Sequence, residues 1–302
     1  METVTVDSRA DEDQRIWESF RQHSRTFSFA ARLLPRKVQM PIATLYMFCR
    51  RVDSIADERV LEIGREAALS EVETVHRRLT STLTGQPPDE FLWQRLADVH
   101  NRFDLQQGPL LELIDGARWD LEGRSVDTLD DLVAYSNLVG GSVGAMMLPF
   151  LLPDSDARGL ESAARTLGIA MQITNILRDV GEDARELDRV YLPSRWLSRY
   201  DIDPSGLTGG SLPEAYPSLL EDVMEAAEER YEKSFAGIEA LPWKMQIGIR
   251  AAARMYREIL NEVRANNYDN LNRRAYVSFR RKCFLVILDR YEKRKQRLVH
   301  SA

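Results

Sequence analysis

Cysteine is nearly absent from this chain. Its two cysteines among 302 residues, Cys49 and Cys283, lie far apart with no ligand-like spacing. That excludes a disulfide framework and a structural zinc site, and it makes a reducing cytosol the expected setting. Histidine is scarce too: His76, His100 and His300 show no metal-ligand spacing, and only His23 falls inside a segment used below. An excess of basic charge is also lacking. With 41 Lys and Arg against 47 Asp and Glu, a net charge of -6 argues against a general nucleic-acid binder, whose affinity rests on concentrated positive charge. No G-x-G-x-x-G follows a strand-like run, so no Rossmann nicotinamide site is indicated. The first residues carry Glu2, Asp7, Asp11, Glu12 and Asp13, the wrong sign for a transit peptide, and no apolar stretch there makes a secretory signal. The longest nearly uncharged run, Val133 to Leu152, is broken by Gly140, Gly141, Gly144 and Pro149 and reads as a buried helix rather than a membrane span.

What is present is helical periodicity almost throughout, as in Leu45, Cys49, Val52 and Ala56, or Ile173, Ile176, Leu177 and Val180. An all-α protein follows, with breakers at Gly85-Gln86-Pro87-Pro88, Gly123-Arg124-Ser125, Pro153-Asp154-Ser155 and Leu241-Pro242. The widest interruption, Pro193 to Pro213, is expected to be a surface loop with at most short helices, able to act as a flap. Nothing on either side marks a domain boundary. The expected organisation is a flexible acidic segment over residues 1–15 and one domain over residues 16–302.

Two aspartate pairs carry most of the functional information, Asp53/Asp57 and Asp179/Asp183. Each has the i, i+4 spacing that sets both carboxylates on one helical face. Tyr46, Arg50, Asp53 and Asp57 form one stripe, with Leu45, Cys49 and Val52 expected to pack behind; Gln172, Asn175, Asp179 and Asp183 form another, with Arg178 beside it. A solvated surface face explains either stripe alone. Two such stripes facing each other would gather four carboxylates, a repulsion that protonation or a divalent cation must relieve. Hard oxygen donors suit Mg2+, which takes one or two carboxylates together with waters and substrate phosphates.

The segments Tyr46-Met47-Phe48-Cys49-Arg50-Arg51-Val52-Asp53-Ser54-Ile55-Ala56-Asp57 and Gln172-Ile173-Thr174-Asn175-Ile176-Leu177-Arg178-Asp179-Val180-Gly181-Glu182-Asp183 resemble the two signatures of the squalene and phytoene synthase family. His23-Ser24-Arg25-Thr26-Phe27-Ser28, Val139-Gly140-Gly141-Ser142-Val143-Gly144, Val190-Tyr191-Leu192-Pro193 and Asn267-Tyr268-Asp269-Asn270 extend the likeness from about His23 to Lys282.

The resemblance implies a single-domain, all-helical isoprenoid-synthase fold with a central cavity. It implies head-to-head coupling of two prenyl diphosphates through a cyclopropylcarbinyl diphosphate, as in carotenoid biosynthesis. Asp53, Asp57, Asn175, Asp179 and Asp183 are then the Mg2+ ligands, with Mn2+ a possible substitute, and Arg50, Arg178, Tyr46, Gln172 and the His23-Ser24-Arg25-Thr26 segment hold diphosphate or substrate. Tyr135 and Tyr268 become candidates to steer the allylic cation. The small residues at Ala31 and Ala43, where aromatic rings are expected in C30 members, point to geranylgeranyl diphosphate as substrate, without NADPH. A squalene or dehydrosqualene synthase using farnesyl diphosphate is the alternative, and a non-catalytic helical assembly factor the more distant one. Where members of the family read Gly-Met-Arg-Met-Asp-Leu and Arg-Gly-Arg, this chain has Gly116-Ala117-Arg118-Trp119-Asp120-Leu121 and Leu187-Asp188-Arg189; neither change is expected to touch a metal ligand. The stretch Arg280 to Arg297 mixes apolar and basic residues in a way compatible with weak association with an anionic membrane surface.

Overall fold

The computed structural model describes residues 5–152 and 158–300, with side chains over 11–152 and 159–292. Among the described residues every regular element is helical. The elements are α1 (Thr5–His23), α2 (Arg25–Ala31), α3 (Arg36–Ser54), a π-helical turn Ile55–Arg59, α4 (Val60–Ile63), α5 (Arg65–Leu83), α6 (Phe91–Phe103), α7 (Gln107–Glu122), α8 (Leu129–Ser136), a second π turn Asn137–Gly141, and α9 (Ser142–Leu151). Then follow α10 (Arg158–Glu186), α11 (Ser194–Arg199), a 3-10 turn Pro204–Thr208, α12 (Tyr216–Ala240), α13 (Trp243–Ala265) and α14 (Phe279–His300).

The central element is α10, whose 29 residues span about 43 Å at the α-helical rise. It packs against α8, the second π turn, α9, α12 and α13, so neighbours surround it on most sides. One apolar core lies between α10, α12 and α13; a second joins α3 to α5, α6, α7 and α9. Close crossing of α10 depends on glycine: a Cβ on Gly140 would overlap the Gly168 carbonyl oxygen, and one on Gly168 would overlap that of Gly140. The low-charge run containing these glycines is interior, with Leu132, Tyr135, Ser142, Met146, Met147 and Phe150 all buried. By length and composition alone, Leu129–Leu151 could cross a membrane. Here its apolar side chains pack on α7 and α10 instead.

Most breakers fall where the sequence places them. Gly123 closes α7 in the left-handed conformation, and Thr128 opens α8 with a reciprocal capping box to Asp131. The breaker at Pro153-Asp154-Ser155 lies outside the described residues. Two expectations meet a different structure. Segment 1–15, expected to be loose, is helical from Thr5, and Asp13 pairs with Arg95 while the neighbouring Ile16 is fully buried. The Pro193–Pro213 stretch does hold only short helices, but buried Leu197, Ile202 and Leu207 anchor it, and Ser194 N donates to Val126 O at 2.9 Å.

Candidate active site

One stripe of α10 builds most of the site. Leu160, Ala163, Ala164, Leu167, Gly168, Met171, Gln172 and Asn175 follow the three-and-four spacing of a single helical face and line a cavity of about 230 Å3. From Leu160 to Asn175 that wall is about 22 Å long. The opposite wall comes from α3, where Ile42, Leu45, Tyr46, Cys49 and Asp53 again share a face, and from α9, α12 and α13. Leu45 and Cys49, buried in the second core as expected, also border the cavity. Apart from Asp53, Gln172, Asn175, Ser234 and the two tyrosines Tyr46 and Tyr256, the lining is apolar.

The same stripe continues into polar chemistry. Beyond Asn175, the residues Ile176, Asp179 and Asp183 join Asp53, Asp57, Asp120, Tyr135, Leu187 and Tyr191 around an acidic chamber of about 250 Å3. Asp53, Val139, Gln172 and Asn175 border both spaces, so the chamber adjoins the apolar cavity. The two aspartate pairs do converge. Asp57 lies on the π turn rather than a regular continuation of α3, which widens the backbone there in a way often associated with functional positions.

The charges in this chamber are only partly balanced. Arg178 holds Asp179 through two hydrogen bonds of 2.8 and 2.5 Å, and Arg274 adds a contact at 2.9 Å. Arg189 donates to Asp57 Oδ1 at 2.8 Å. Among the described residues no ion pair reaches Asp53 or Asp183. Burial, then the neighbouring Asp57, pushes Asp53 up to about 8; burial, then Asp179 and Asp57, does the same to Asp183. Burial raises Asp57 as well, opposed chiefly by Arg189. Asn175 Nδ2 donates to Gln172 Oε1 at 3.2 Å, while its buried Oδ1 has no partner. Two uncompensated carboxylates and an orphaned amide oxygen form a hard-oxygen set deficient in positive charge, which fits a divalent cation. Among the described residues no three His, Cys, Asp or Glu side chains are grouped so as to hold a metal ion by themselves. Oxygen donors of this kind suit Mg2+, which fills the rest of its shell with waters and substrate phosphate oxygens.

Beside the acidic chamber lies a basic one of about 980 Å3, bordered by Arg21, His23, Arg25, Thr26, Arg178, Arg274 and Lys282. Arg178 belongs to both. The segment carrying Arg274 reaches α10 because residue 181, between the aspartates, is glycine: a Cβ there would overlap the Leu271 carbonyl oxygen. Asn270 secures the contact, donating from Nδ2 to Leu177 O at 2.6 Å and accepting from Tyr216 Oη at 2.7 Å.

The structure brings Asp53, Asp57, Tyr135, Gln172, Asn175, Arg178, Asp179 and Asp183 together, and puts His23, Arg25 and Thr26 in the adjoining basic chamber. Ser24 instead caps α2, its Oγ accepting from Phe27 N, and the His23 ring donates from Nδ1 to Ser19 O at 2.8 Å. Arg50 turns to Glu58 rather than into the chamber. Tyr46 lines the apolar cavity. Tyr268 is corrected more fully: at φ 60° its ring leaves the site and its hydroxyl donates to Glu221 at 2.7 Å. Ala31 and Ala43 are buried in the second core and border neither the cavity nor the chamber, because the α3 face toward the cavity is that of Ile42, Leu45 and Tyr46. The variant stretch 187–189 does touch the metal-ligand set, through Leu187 on the chamber wall and Arg189 on Asp57. Sequence reasoning missed Asp120, Arg189, Tyr191, Arg274 and Tyr256 as site residues. Asp120, Arg189 and Tyr191 sit inside noted motifs, but they meet partners far along the chain, Tyr191 with Asp120 across 71 positions and Arg189 with Asp57 across 132, and Arg274 meets Asp179 across 95. Tyr256 has no local signal.

Comparison with known proteins agrees with this architecture. Residues 20–281 match the family described as squalene/phytoene synthase. A phytoene synthase of Rhodobacter capsulatus is 36% identical over 275 residues, covering 89% of this chain and 78% of that protein. The 15-cis-phytoene synthase of Synechococcus elongatus is 32% identical over 280 residues, covering 88% of each. Among solved structures, a dehydrosqualene synthase in complex with a ligand superposes with a TM-score of 0.84 at 29% identity, covering 96% of this chain and 99% of that one. A squalene synthase from Alicyclobacillus acidocaldarius shares the fold at a TM-score of 0.74 and 21% identity, over 88% of this chain and 97% of that one.

Proposed function

This chain belongs to the squalene/phytoene synthase family, and from that premise we propose that it is a prenyltransferase joining two geranylgeranyl diphosphates head to head into phytoene, a step of carotenoid biosynthesis. The carrying observation is the single α10 stripe that runs from an apolar cavity into converging carboxylates. A prenyl tail fits the first part and a diphosphate the second.

Asp53, Asp57, Asn175, Asp179 and Asp183 would hold Mg2+, or Mn2+ in its place. Bound there, the cation supplies positive charge to a departing diphosphate. The chain's own residues do the rest. Arg178 and Arg274, both on Asp179, stand between the acidic and basic chambers, so they can donate to diphosphate oxygens as Arg25 and Lys282 can from the other side. Loss of diphosphate leaves an allylic cation, whose capture by water would end the coupling. The apolar walls from Leu160 to Met171 exclude water along the tail. Tyr46 and Tyr256 line the same cavity, where aromatic rings can stabilise the positive charge as it moves toward the cyclopropylcarbinyl (prephytoene) diphosphate and then the hydrocarbon. The reading requires no NADPH.

Incubating the purified protein with Mg2+ and geranylgeranyl or farnesyl diphosphate, with and without NADPH, tests this. Phytoene from the C20 donor in the absence of NADPH is the expected result. A C30 hydrocarbon from the C15 donor alone would transfer the chain to the dehydrosqualene or squalene type, which the 0.84 superposition favours as the second reading.

A water-insoluble product gives a peripheral membrane surface a use, and α14 has the composition for one. Phe279, Phe284, Ile287 and Tyr291 are exposed beside Arg280, Arg281 and Arg290, while Leu285 and Asp289 turn inward. The further basic residues Lys293, Arg294, Lys295 and Arg297 lie outside the described side chains. In this reading the protein works in the cytoplasm and docks weakly on anionic lipid.

A further inference from the structure

Asp120 sits on α7, outside both aspartate signatures, yet both of its carboxylate oxygens accept a hydrogen bond. Tyr135 Oη donates to Oδ2 at 2.9 Å and Tyr191 Oη donates to Oδ1 at 2.8 Å. The two phenol rings stack at 4.7 Å between centroids, and Trp119 lies against Tyr135 at 5.9 Å. This packing leaves the Asp120 carboxylate little freedom. Its remaining neighbour is Arg189, whose Nη1 lies 3.8 Å from Oδ2. The same guanidinium donates to Asp57 Oδ1 at 2.8 Å and to the Ala56 carbonyl at 2.7 Å. Arg189 thus ties the chain after α10 to the π turn that carries Asp57, and Asp120 stands on its other side.

We propose that Asp120 is a positioning residue for Asp57: held by Tyr135 and Tyr191, it keeps Arg189 shared between two carboxylates, so that Asp57 remains open to a cation. Without that second carboxylate, Arg189 is left with Asp57 as its one anionic partner and competes with the cation for the same oxygen. The role assigned to Asp120 is not that of a cation ligand. Its effect passes through Arg189. Residues that orient a ligand from behind in this way typically alter metal affinity by about ten- to a hundredfold when replaced.

The inference rests on the divalent-cation reading of the site, and the experiment separates the two. Asp120→Asn and Tyr191→Phe are compared with the wild-type chain by titrating Mg2+ in the presence of inorganic diphosphate, following melting temperature and calorimetric heat, and then by the Mg2+ dependence of turnover. Tyr191→Phe keeps every charge and removes one hydrogen bond to Asp120, so it reports on positioning rather than on net charge, and it stands alone if Asp120→Asn fails to fold. The expected result is a half-saturating Mg2+ concentration raised about tenfold or more in Asp120→Asn and several-fold in Tyr191→Phe. Helical content should be unchanged, and maximal turnover at saturating Mg2+ should fall less than turnover at limiting Mg2+. A wild-type half-saturation point retained in Tyr191→Phe overturns the inference, as does an equal loss of turnover at all Mg2+ concentrations. Absence of any Mg2+ and diphosphate response in the wild-type chain would instead overturn the cation reading beneath it.

Discussion

Removing the charge of Asp53 should stabilise the protein while abolishing its activity. The carboxylate has no ion pair among the described residues, and burial together with Asp57 pushes it up to about 8. An unfolded aspartate titrates near 3.9. The sign follows from proton binding: between these values the folded state retains a proton that the unfolded state releases, so stability falls as pH rises from about 4 to about 8. At pH 7 the cost has a ceiling of about 4 kcal/mol, from roughly three pH units at 1.36 kcal/mol each. Water entering the chamber and relaxation around the group reduce it to an expected value of about 1–3 kcal/mol. An asparagine side chain in its place has the same shape and no charge to desolvate. In EDTA at pH 7, Asp53→Asn should therefore melt a few degrees above wild type, at roughly 2–4 °C per kcal/mol for a chain of this size class. The gain should shrink at pH 5, where less of the cost has developed. With Mg2+ and diphosphate the wild-type chain should gain stability that the variant lacks, and turnover of the variant should be lost. A metal-free variant that melts at or below wild type at pH 7, or whose gain is the same at pH 5, would refute the charge-deficit argument.

Gly181→Ala should cost about 1–3 kcal/mol in chemical denaturation, because its Cβ would overlap the Leu271 carbonyl, and should lower activity by moving Arg274 off Asp179. Ala164→Phe fills the cavity wall eleven residues, about 16 Å, beyond Asn175 and should reduce C20 coupling more than C15 coupling in a product assay. Ala31→Phe and Ala43→Trp, buried away from that wall, should lower the melting temperature by overpacking and leave the ratio of C20 to C15 use unchanged. Co-sedimentation with anionic vesicles should exceed that with neutral ones and fall in Phe284→Ser/Ile287→Ser; equal sedimentation with both lipids would remove the docking role of α14.

Local spacing was enough to determine the helical fold class and the positions of most breakers. It also determined which polar residues share a stripe: Gln172, Asn175, Asp179 and Asp183 remain on one face because helical geometry is set by the chain's own periodicity. The meeting of that face with Asp53 and Asp57 entered the sequence reading only as a condition, because like charges by themselves repel. Tertiary packing decided what lies between them. Arg189 meets Asp57 across 132 positions and Tyr191 meets Asp120 across 71, and no local pattern encodes such pairings. Tyr268 borders neither chamber: its hydroxyl pairs with Glu221, 47 positions away, a contact that no local spacing encodes. Ala31 and Ala43 left the cavity wall because a rotation of α2 and α3 by a fraction of a turn is set by their neighbours, not by their own spacing. The stripe of α10 is written in sequence, but whether its apolar half meets solvent, core or an open cavity depends on how closely the surrounding helices approach. Glycines at 140, 168 and 181 fix that approach through contacts with distant carbonyl oxygens.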